Sequence, residues 1–499
     1  MSHIDSPQAS ALSPTEARFE VLRKRAGLVL APIAFAIIVS TPLPELTPQA
    51  HRLAALVGLI GCLWITEAIP LALTGLLAPL LMIILGIAPA SDAFAPFADP
   101  IMFLFIGAFI LARSIQLHGL DRRFAYVVLT RRWVGESPGR ILFAFGAICC
   151  VISMWISNTA TVAMMFPIGI AIIRMLGRID RTLVSGIYPS ALMLMCAFAA
   201  AIGGLATPVG TPTNLIGLGF IERQLGQHIS FFQWMSFSVP MVVVLFLLLF
   251  VYLNFLGASG LRHFPGVREM LVAERSRFGD LAPGERNTLI AFGLTVVLWI
   301  TPGVLALALG DRDPLTLGFS RHVPESVAAL LGAVLLFFLP VDREKGEYTL
   351  NLKSALDIDW GVLAMYGGGI ALGQMVFETK LAETIGTQVT SSLPLTGLTM
   401  LVVASALAIL ASEFTSNVSS ANMIVPLVIA LAGAGAIQPA IAATMAASLG
   451  FMLPISTPTN AIVYSSGYIP LVRMVKYGVL LDVIGLVVIV VGTELLVPA

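Results

Sequence analysis

This sequence predicts an all-α polytopic membrane protein built from two inverted repeats, and three observations carry that expectation. Hydrophobic residues make up 58% of the chain and charged residues 11%, with a mean hydropathy of +0.94, which is more apolar surface than a water-soluble fold can cover. The apolar residues gather into runs close to the roughly 20 residues that cross a hydrocarbon core. A polar block, Ser-Asn followed later by Thr-Pro-Thr-Asn, is written twice in the same order.

In chain order, residues 1–27 are polar and place Arg23, Lys24 and Arg25 just before the first apolar run. They lack the apolar core and small-residue cleavage site of a secretory signal, so a short, disordered cytoplasmic tail is expected. Spanning runs follow at 28–45, 53–69, 71–88, 101–118, 235–256, 288–308, 323–340, 359–377 and 474–497. Four longer, interrupted apolar segments lie between them.

The basic residues set the orientation. With the N-terminus in the cytoplasm, the cytoplasmic segments hold Arg18 and the 23–25 triplet, Arg122, Arg123, Arg131, Arg132 and Arg140, then Arg174, Arg178 and Arg181. They also hold Arg262, Arg268, Arg275, Arg277, Arg286, Arg343, Lys345, Lys353, Arg473 and Lys476. Only Arg52, Arg223, Arg312, Arg321 and Lys380 fall outside, with Arg113 inside a span. This asymmetry predicts a cytoplasmic N-terminus and an external C-terminus.

Other classes find little support. A net charge of +0 gives no footprint for nucleic acid. Cys62, Cys149, Cys150 and Cys196 all sit in apolar segments without metal-ligand spacing and read as small buried hydrophobes. The six His are scattered. No His-Glu-x-x-His, Gly-x-Ser-x-Gly or phosphate-loop pattern occurs, which argues against an enzyme or an ATP-driven pump. A channel would call for a continuous pore with selectivity rings.

The repeat decides the architecture. SNTATVAMMFP at 157–167 matches SNVSSANMIVP at 416–426, TPTN stands at 211–214 and 457–460, and the glycine-bearing stretches 105–120 and 365–381 are alike. Two homologous halves are therefore expected at about 50–260 and 285–497. The loop before the first SN block is strongly basic, whereas 378–395 carries one Lys and two Glu, so the halves face opposite ways. Interrupted segments at matching positions of inverted repeats point to a secondary transporter with its site at the membrane midplane.

Each motif has a physical reading. Pro212 and Pro458 cannot donate a backbone hydrogen bond, and the flanking Thr and Asn favour caps and turns, so TPTN predicts a helix break. A break in hydrocarbon must be satisfied by protein or a water-filled cavity, and its exposed N–H and C=O groups can serve ligands. Segments 141–173 and 397–432 have polar centres, and reading each as a re-entrant hairpin with Ser157-Asn158 or Ser416-Asn417 at its tip keeps the basic loops on one side.

With these residues quoted, the chain resembles the divalent anion/sodium symporter family of dicarboxylate, citrate and sulfate transporters. The resemblance rests on SNTAT and SNVSS at the hairpin tips and GTPTN and STPTN at the breaks, and it covers the chain from about residue 28. It implies a homodimer of about eleven spanning helices plus two re-entrant hairpins, with an elevator-type transport domain moving against a scaffold. On this chain it implies a tail at 1–27, scaffold helices at 28–140 and 287–396, transport-domain halves at 141–256 and 397–499, and a cytoplasmic linker at 257–286. It further implies a first sodium site at Ser153, Ser157, Asn158 and Gly210, and a second at Ser412, Thr415, Asn417 and Ser456. The substrate carboxylates would meet Asn158, Thr159, Thr211, Asn417 and Thr457 over a floor shaped by Pro212 and Pro458. Val418 stands at this site where many relatives carry threonine, and Ser420 either faces the site or caps backbone.

The resulting expectation is sodium-coupled symport of C4-dicarboxylates such as succinate, malate and fumarate, in a bacterial inner membrane. Sodium ions serve as coupling ions and there is no organic cofactor. A sodium-independent exchanger, or citrate or sulfate as substrate, are the alternatives on the same fold. Amide, hydroxyl and carbonyl oxygens suit a hard cation, and no Arg or Lys lies in the motifs, so a dianion would lean on neutral donors, helix ends and the bound sodium. Glu67 and Arg113 read as snorkelling or ion-paired near the cytoplasmic face, Glu413 as bracing the second hairpin or carrying a coupling proton, Trp155 as packing, and Gly107 and Gly367–Gly369 as close-contact positions in the scaffold.

Overall fold

The computed structural model describes residues 14–179, 186–257, 263–392 and 396–498. Residues 1–13 of the predicted tail, together with Arg181 and Arg262, lie outside the described residues. The first part of the chain forms α1 (Pro14–Ser40), α2 (Pro48–Thr66), α3 (Leu71–Ile84), α4 (Ala90–Phe94), α5 (Pro100–Leu117), α6 (Leu120–Leu129), α7 (Pro138–Ser153), α8 (Asn158–Ile179), α9 (Tyr188–Gly204), α10 (Pro212–Leu225), α11 (Phe231–Gly257) and α12 (Val267–Ser276). Then come α13 (Pro283–Leu309), α14 (Pro314–His322), α15 (Glu325–Leu335), the hairpin β1 (Pro340–Asp342) and β2 (Glu347–Tyr348), α16 (Leu352–Ala355), α17 (Trp360–Glu378) and α18 (Leu381–Ser392). The chain closes with α19 (Gly397–Phe414), α20 (Asn417–Ala432), α21 (Ile437–Ala446), α22 (Pro458–Tyr464) and α23 (Leu471–Leu496).

The fold is helical almost throughout. Among the described residues, eight stretches are long and apolar enough to cross a membrane, and six shorter apolar helices of 10–17 residues accompany them. Short pieces arise where the sequence interrupts itself: α9 and α10 are the two halves of one broken segment, α21 and α22 of another. The 323–340 run yields only α15, because Pro324 starts the helix and the chain turns into β1 at Pro340. At the other end, α1 begins at Pro14, so residues 14–27 extend the first helix instead of forming the disordered tail expected there. Arg23 is one reason, since it bonds Glu20 at 3.0 Å and Glu67 at 3.1 Å and ties this stretch to the end of α2.

Prolines begin helices here more often than they bend them. Thr47, Asp99, Asp313 and Thr457 each sit in an extended conformation with a proline next in line, and their side chains accept from amides of the first turn. Proline at this position loses nothing, because its missing N–H would have had no intrahelical partner.

Helix α9 is the axis of the core. Every one of its residues is buried, and it packs against α7, α8, α11 and α22. Large apolar side chains face outward instead on α1, α11, α13 and α23, among them Leu28, Ile37, Val251, Leu307, Val483 and Leu495, the surface that a hydrocarbon solvent accepts without cost.

Glycines set the closest helix contacts. A Cβ at Gly107 would lie 2.6 Å from the Ala329 carbonyl carbon, and one at Gly368 would overlap the Gly75 carbonyl oxygen, so α5 meets α15 and α17 meets α3 backbone to backbone. Gly369 instead abuts Asn422 on α20 and Gly373 abuts Phe220 on α10, which places α17 against the motif-bearing helices as well. An ion-pair cluster marks the same boundary: Arg223 on α10 bonds Asp99 at 2.5 and 2.8 Å, and Tyr366 donates to Asp99 at 3.1 Å. In the loop after α10, the carboxylates of Glu222 and Glu325 push the His228 imidazole up to about 10, so it stays charged across the physiological range.

These contacts predict that Gly368→Val lowers the thermal midpoint of the purified protein by the equivalent of about 1–3 kcal/mol of overpacking. Gly61→Ala, with nothing within 4 Å of the new Cβ, should leave the midpoint unchanged or slightly raised. Equal midpoints for the two variants would contradict the close approach of α17 and α3.

Candidate functional site

The two SN blocks fold alike. In each, one helix ends, a few residues turn, and a second helix starts at the Asn: α7 to α8 at Asn158, α19 to α20 at Asn417. The Ser is the cap, Ser157 Oγ accepting from the Ala160 amide at 3.3 Å and Ser416 Oγ from the Ser419 amide at 3.1 Å. The Asn then closes the turn, because Asn158 Oδ1 accepts from Ser153 Oγ at 2.6 Å and Asn417 Oδ1 from Ser412 Oγ at 2.7 Å. One clasp of hydroxyl and amide is thus made twice by sequence-matched residues.

The two TPTN blocks also share one geometry. Thr211 and Thr457 have nearly the same dihedrals, φ −143° and −142° with ψ 143° and 150°, and each precedes a proline that opens a new helix. Pro212 and Pro458 therefore start the second half of a broken segment. The final Asn reaches back across the gap: Asn214 Nδ2 donates to the carbonyls of Gly204 (2.9 Å) and Thr207 (2.8 Å), and Asn460 Nδ2 to those of Gly450 (2.9 Å) and Leu453 (3.0 Å). This pairing is what makes an open backbone tolerable in an apolar surrounding. Sequence reasoning treated this Asn as one more helix breaker and missed its bracing role; its recurrence in both tetrapeptides was the available signal.

Tips and breaks come together. A Cβ on Gly204 would stand 2.5 Å from Asn158 Oδ1, and one on Gly210 would stand 2.6 Å from the Gly204 carbonyl oxygen and 3.0 Å from that of Ser153. Glycine at 210 therefore leaves a small oxygen-walled space between the first tip and the first break, and Thr207 Oγ1 fastens the two by donating to the Met154 carbonyl. Around the second tip, Ser412 Oγ also meets the Ala447 carbonyl at 2.9 Å, and Asn417 Nδ2 reaches Ser448 O at 3.5 Å. Thr415 Oγ1 donates to the Ala411 carbonyl at 2.9 Å and keeps lone pairs free for another partner. Thr213 Oγ1 and Ser448 Oγ are bonded to each other, joining the first break to the second; α10 packs on α21, and α22 on α9.

The halves differ where Gly210 is matched by Ser456. Ser456 Oγ bonds the Glu413 carbonyl at 2.9 Å and Glu413 Oε2 at 2.7 Å, while Glu413 Oε1 accepts from the Met452 amide at 2.8 Å. Glu413 is wholly buried and braces the second hairpin as expected. Ser420 donates to the Ala408 carbonyl at 2.9 Å and is spent on backbone. Val418 packs among apolar side chains and offers no polar group. Thr159 and Pro212 are half-buried and Pro458 is exposed, so these stand at the rim of the cluster, whereas Ser153, Thr211, Ser412, Ser456 and Thr457 are buried within it. Trp155 stacks on Phe231 at 6.4 Å and meets Phe292 edge-on at 5.2 Å, which is packing; Arg113 pairs with Asp357 at 2.5 Å.

Chemically, hydroxyl, amide and carbonyl oxygens at each tip suit a small hard cation. The N-termini of α8, α10 and α20 converge there and favour an anion. Among the described residues no group of three or more His, Cys, Asp or Glu could hold a transition metal. A separate cavity of about 830 Å³ opens between α8 and α12, beside Arg174 and Arg178, and shares no residue with the tips or breaks.

A profile of the sodium:sulfate symporter transmembrane region matches residues 22–496. The chain is 33% identical over 482 residues to the sodium-dependent dicarboxylate transporter SdcS of Staphylococcus saprophyticus, covering 95% of this chain and 91% of that protein. It is 31% identical over 484 residues to SdcS of Staphylococcus aureus, with the same coverage of each. Among solved structures it is similar to the YdaH transporter of Alcanivorax borkumensis (TM-score 0.53, 14% identity, covering 97% of this chain and 98% of that one). It is also similar to MtrF of Neisseria gonorrhoeae (TM-score 0.54, 13% identity, covering 95% and 94%). At such identity these two structures bear on the fold alone.

The bracing role of the last Asn predicts that Asn214→Ala or Asn460→Ala, each stripping two carbonyls of their donor, destabilises by about 1–3 kcal/mol. Asn460→Asp, which cannot donate when ionised, should be no better. Thermal unfolding of the purified variants checks this, and a wild-type midpoint for Asn460→Asp would contradict the reading.

Proposed function

The chain belongs to the sodium:sulfate symporter family, and on that premise we propose that it is a sodium-coupled importer of C4-dicarboxylates such as succinate, malate and fumarate. The observation that carries the reading is the twice-made oxygen cluster, Ser153–Asn158 beside Gly210 and Ser412–Asn417 beside Thr415, in a chain one-third identical to sodium-dependent dicarboxylate transporters. In this reading Ser153, Ser157, Asn158 and Gly210 hold one sodium ion, and Ser412, Thr415, Asn417 and Ser456 another. The dianion lies between the tips against Asn158, Thr159, Thr211, Asn417 and Thr457. With no Arg or Lys in the motifs, its charge is met by helix N-termini and by the sodium ions, so an empty site binds it poorly and coupling follows.

The halves act as inverted repeats in this proposal, with 141–256 and 397–499 moving as a transport domain against 28–140 and 287–396 in a homodimer. The N-terminus is cytoplasmic and the C-terminus external, in a bacterial inner membrane. Such a movement has to break the Arg223–Asp99–Tyr366 cluster, which joins α10 to α5 and α17; the cluster then stabilises one end of the transport cycle.

Uptake of labelled succinate into liposomes tests the function. An inward sodium gradient should drive accumulation into empty vesicles and a matched potassium gradient should not. Uptake that ignores sodium and needs internal succinate would make the protein an exchanger, and transport confined to citrate or sulfate would replace the substrate. Asn158→Ala should abolish uptake while the protein stays folded, because its amide is placed to serve cation and anion together; near-normal uptake would remove the first site.

A further inference from the structure

Glu413 and Asp482 form a buried acidic pair without a counter-charge. Asp482, on α23, is only 7% exposed, faces the Glu413 carboxyl and the Phe451 amide, and completes a hydrogen bond through neither oxygen. The approach of α23 is close here, since a Cβ on Gly478, one turn earlier, would overlap the Phe451 carbonyl. Glu413 is bonded through both oxygens to the Met452 amide and Ser456 Oγ. Among the described residues no Lys, Arg or His pairs with either acid. Arg23, which reaches the neighbouring Phe414 carbonyl at 3.4 Å, is committed to Glu20 and Glu67.

Two carboxylates side by side in a low-dielectric interior are strongly unfavourable as a bare pair, and an ionisable side chain at membrane depth with no partner is by default a candidate for ion or proton handling. We propose that Glu413 and Asp482 hold a further sodium ion between α19 and α23, beyond the two at the hairpin tips. The ligand atoms are of the right kind: unpaired carboxylate oxygens of Asp482 beside the carboxylate of Glu413, already fixed in place. Through Ser456, which Glu413 shares with the second tip cluster, an ion here is linked to the second hairpin. It would also hold α23 against α19 while loaded, so binding would order the second half before the anion arrives.

This proposal rests on the sodium-coupled reading, and the test separates the two. Equilibrium binding of radioactive sodium to the purified full-length protein, without dicarboxylate, should give one ion more per chain for the wild type than for Asp482→Asn. In liposomes the variant should move one sodium fewer per succinate, with a shallower dependence of uptake on sodium concentration. An unchanged sodium count in Asp482→Asn overturns the proposal, as does an unchanged count accompanied by a shifted pH profile, which would mean that the acids share a proton. If Asp482→Asn does not fold, the wild-type count decides, since a total that the two tip clusters account for overturns it equally. Absence of any sodium binding or sodium-driven uptake by the wild type would instead strike the proposed function itself.

Discussion

A broken helix in an apolar interior is stable only if its loose carbonyls find donors, and two asparagine side chains meet that requirement here. Asn214 and Asn460 each hand two hydrogen bonds back across a gap of matching shape. Without them the carbonyls of Gly204, Thr207, Gly450 and Leu453 would lose these donors in a largely buried region, at a cost comparable to the net stability of a small domain when several accumulate. With them the breaks are closed by side-chain hydrogen bonds. Thr211, Thr457 and Gly210 thereby stand opposite the hairpin tips, and oxygen atoms from distant parts of the chain meet.

Symmetry of the two halves is local and chemical. The clasp of Ser with Asn, the extended Thr before Pro, and the bracing Asn recur almost atom for atom. Departures cluster in the second half, where Ser456 replaces Gly210 and Glu413 takes the position matched by Met154. The first half fastens tip to break with a neutral hydroxyl, Thr207, on a carbonyl. The second does so with a carboxylate and a hydroxyl. A near-symmetric framework therefore carries an asymmetric electrostatic load, and the acidic pair at Glu413 and Asp482 belongs to the heavier side.

Much of the site was legible because the repeat compares the sequence with itself. Ser157-Asn158 and Ser416-Asn417 stand out as polar residues at the centres of apolar stretches, and the structure puts both at helix starts. Gly107 and Gly368 read correctly as close-contact positions. Less visible were residues whose role depends on a partner far away in the chain: Ser448, bonded to Thr213, is unremarkable in its own segment, and nothing local distinguishes Ser420, which bonds backbone, from Ser419. The helical start at Pro14 also escaped, since a polar stretch shows no apolar period and what holds this one is an ion pair with Glu67.

The sequence alone determined the solvent, the helical class, the positions of the breaks and the family, because these follow from composition, periodicity and short motifs that act within a few residues. Tertiary structure decided which carbonyls each Asn would satisfy, that the two breaks would be joined through Thr213 and Ser448, and that Asp482 would come to face Glu413. Each of those pairings spans from a handful to more than two hundred residues of chain. They exist because all-buried α9 and the glycine contacts bring the helices to a separation at which a hydrogen bond is either made or lost.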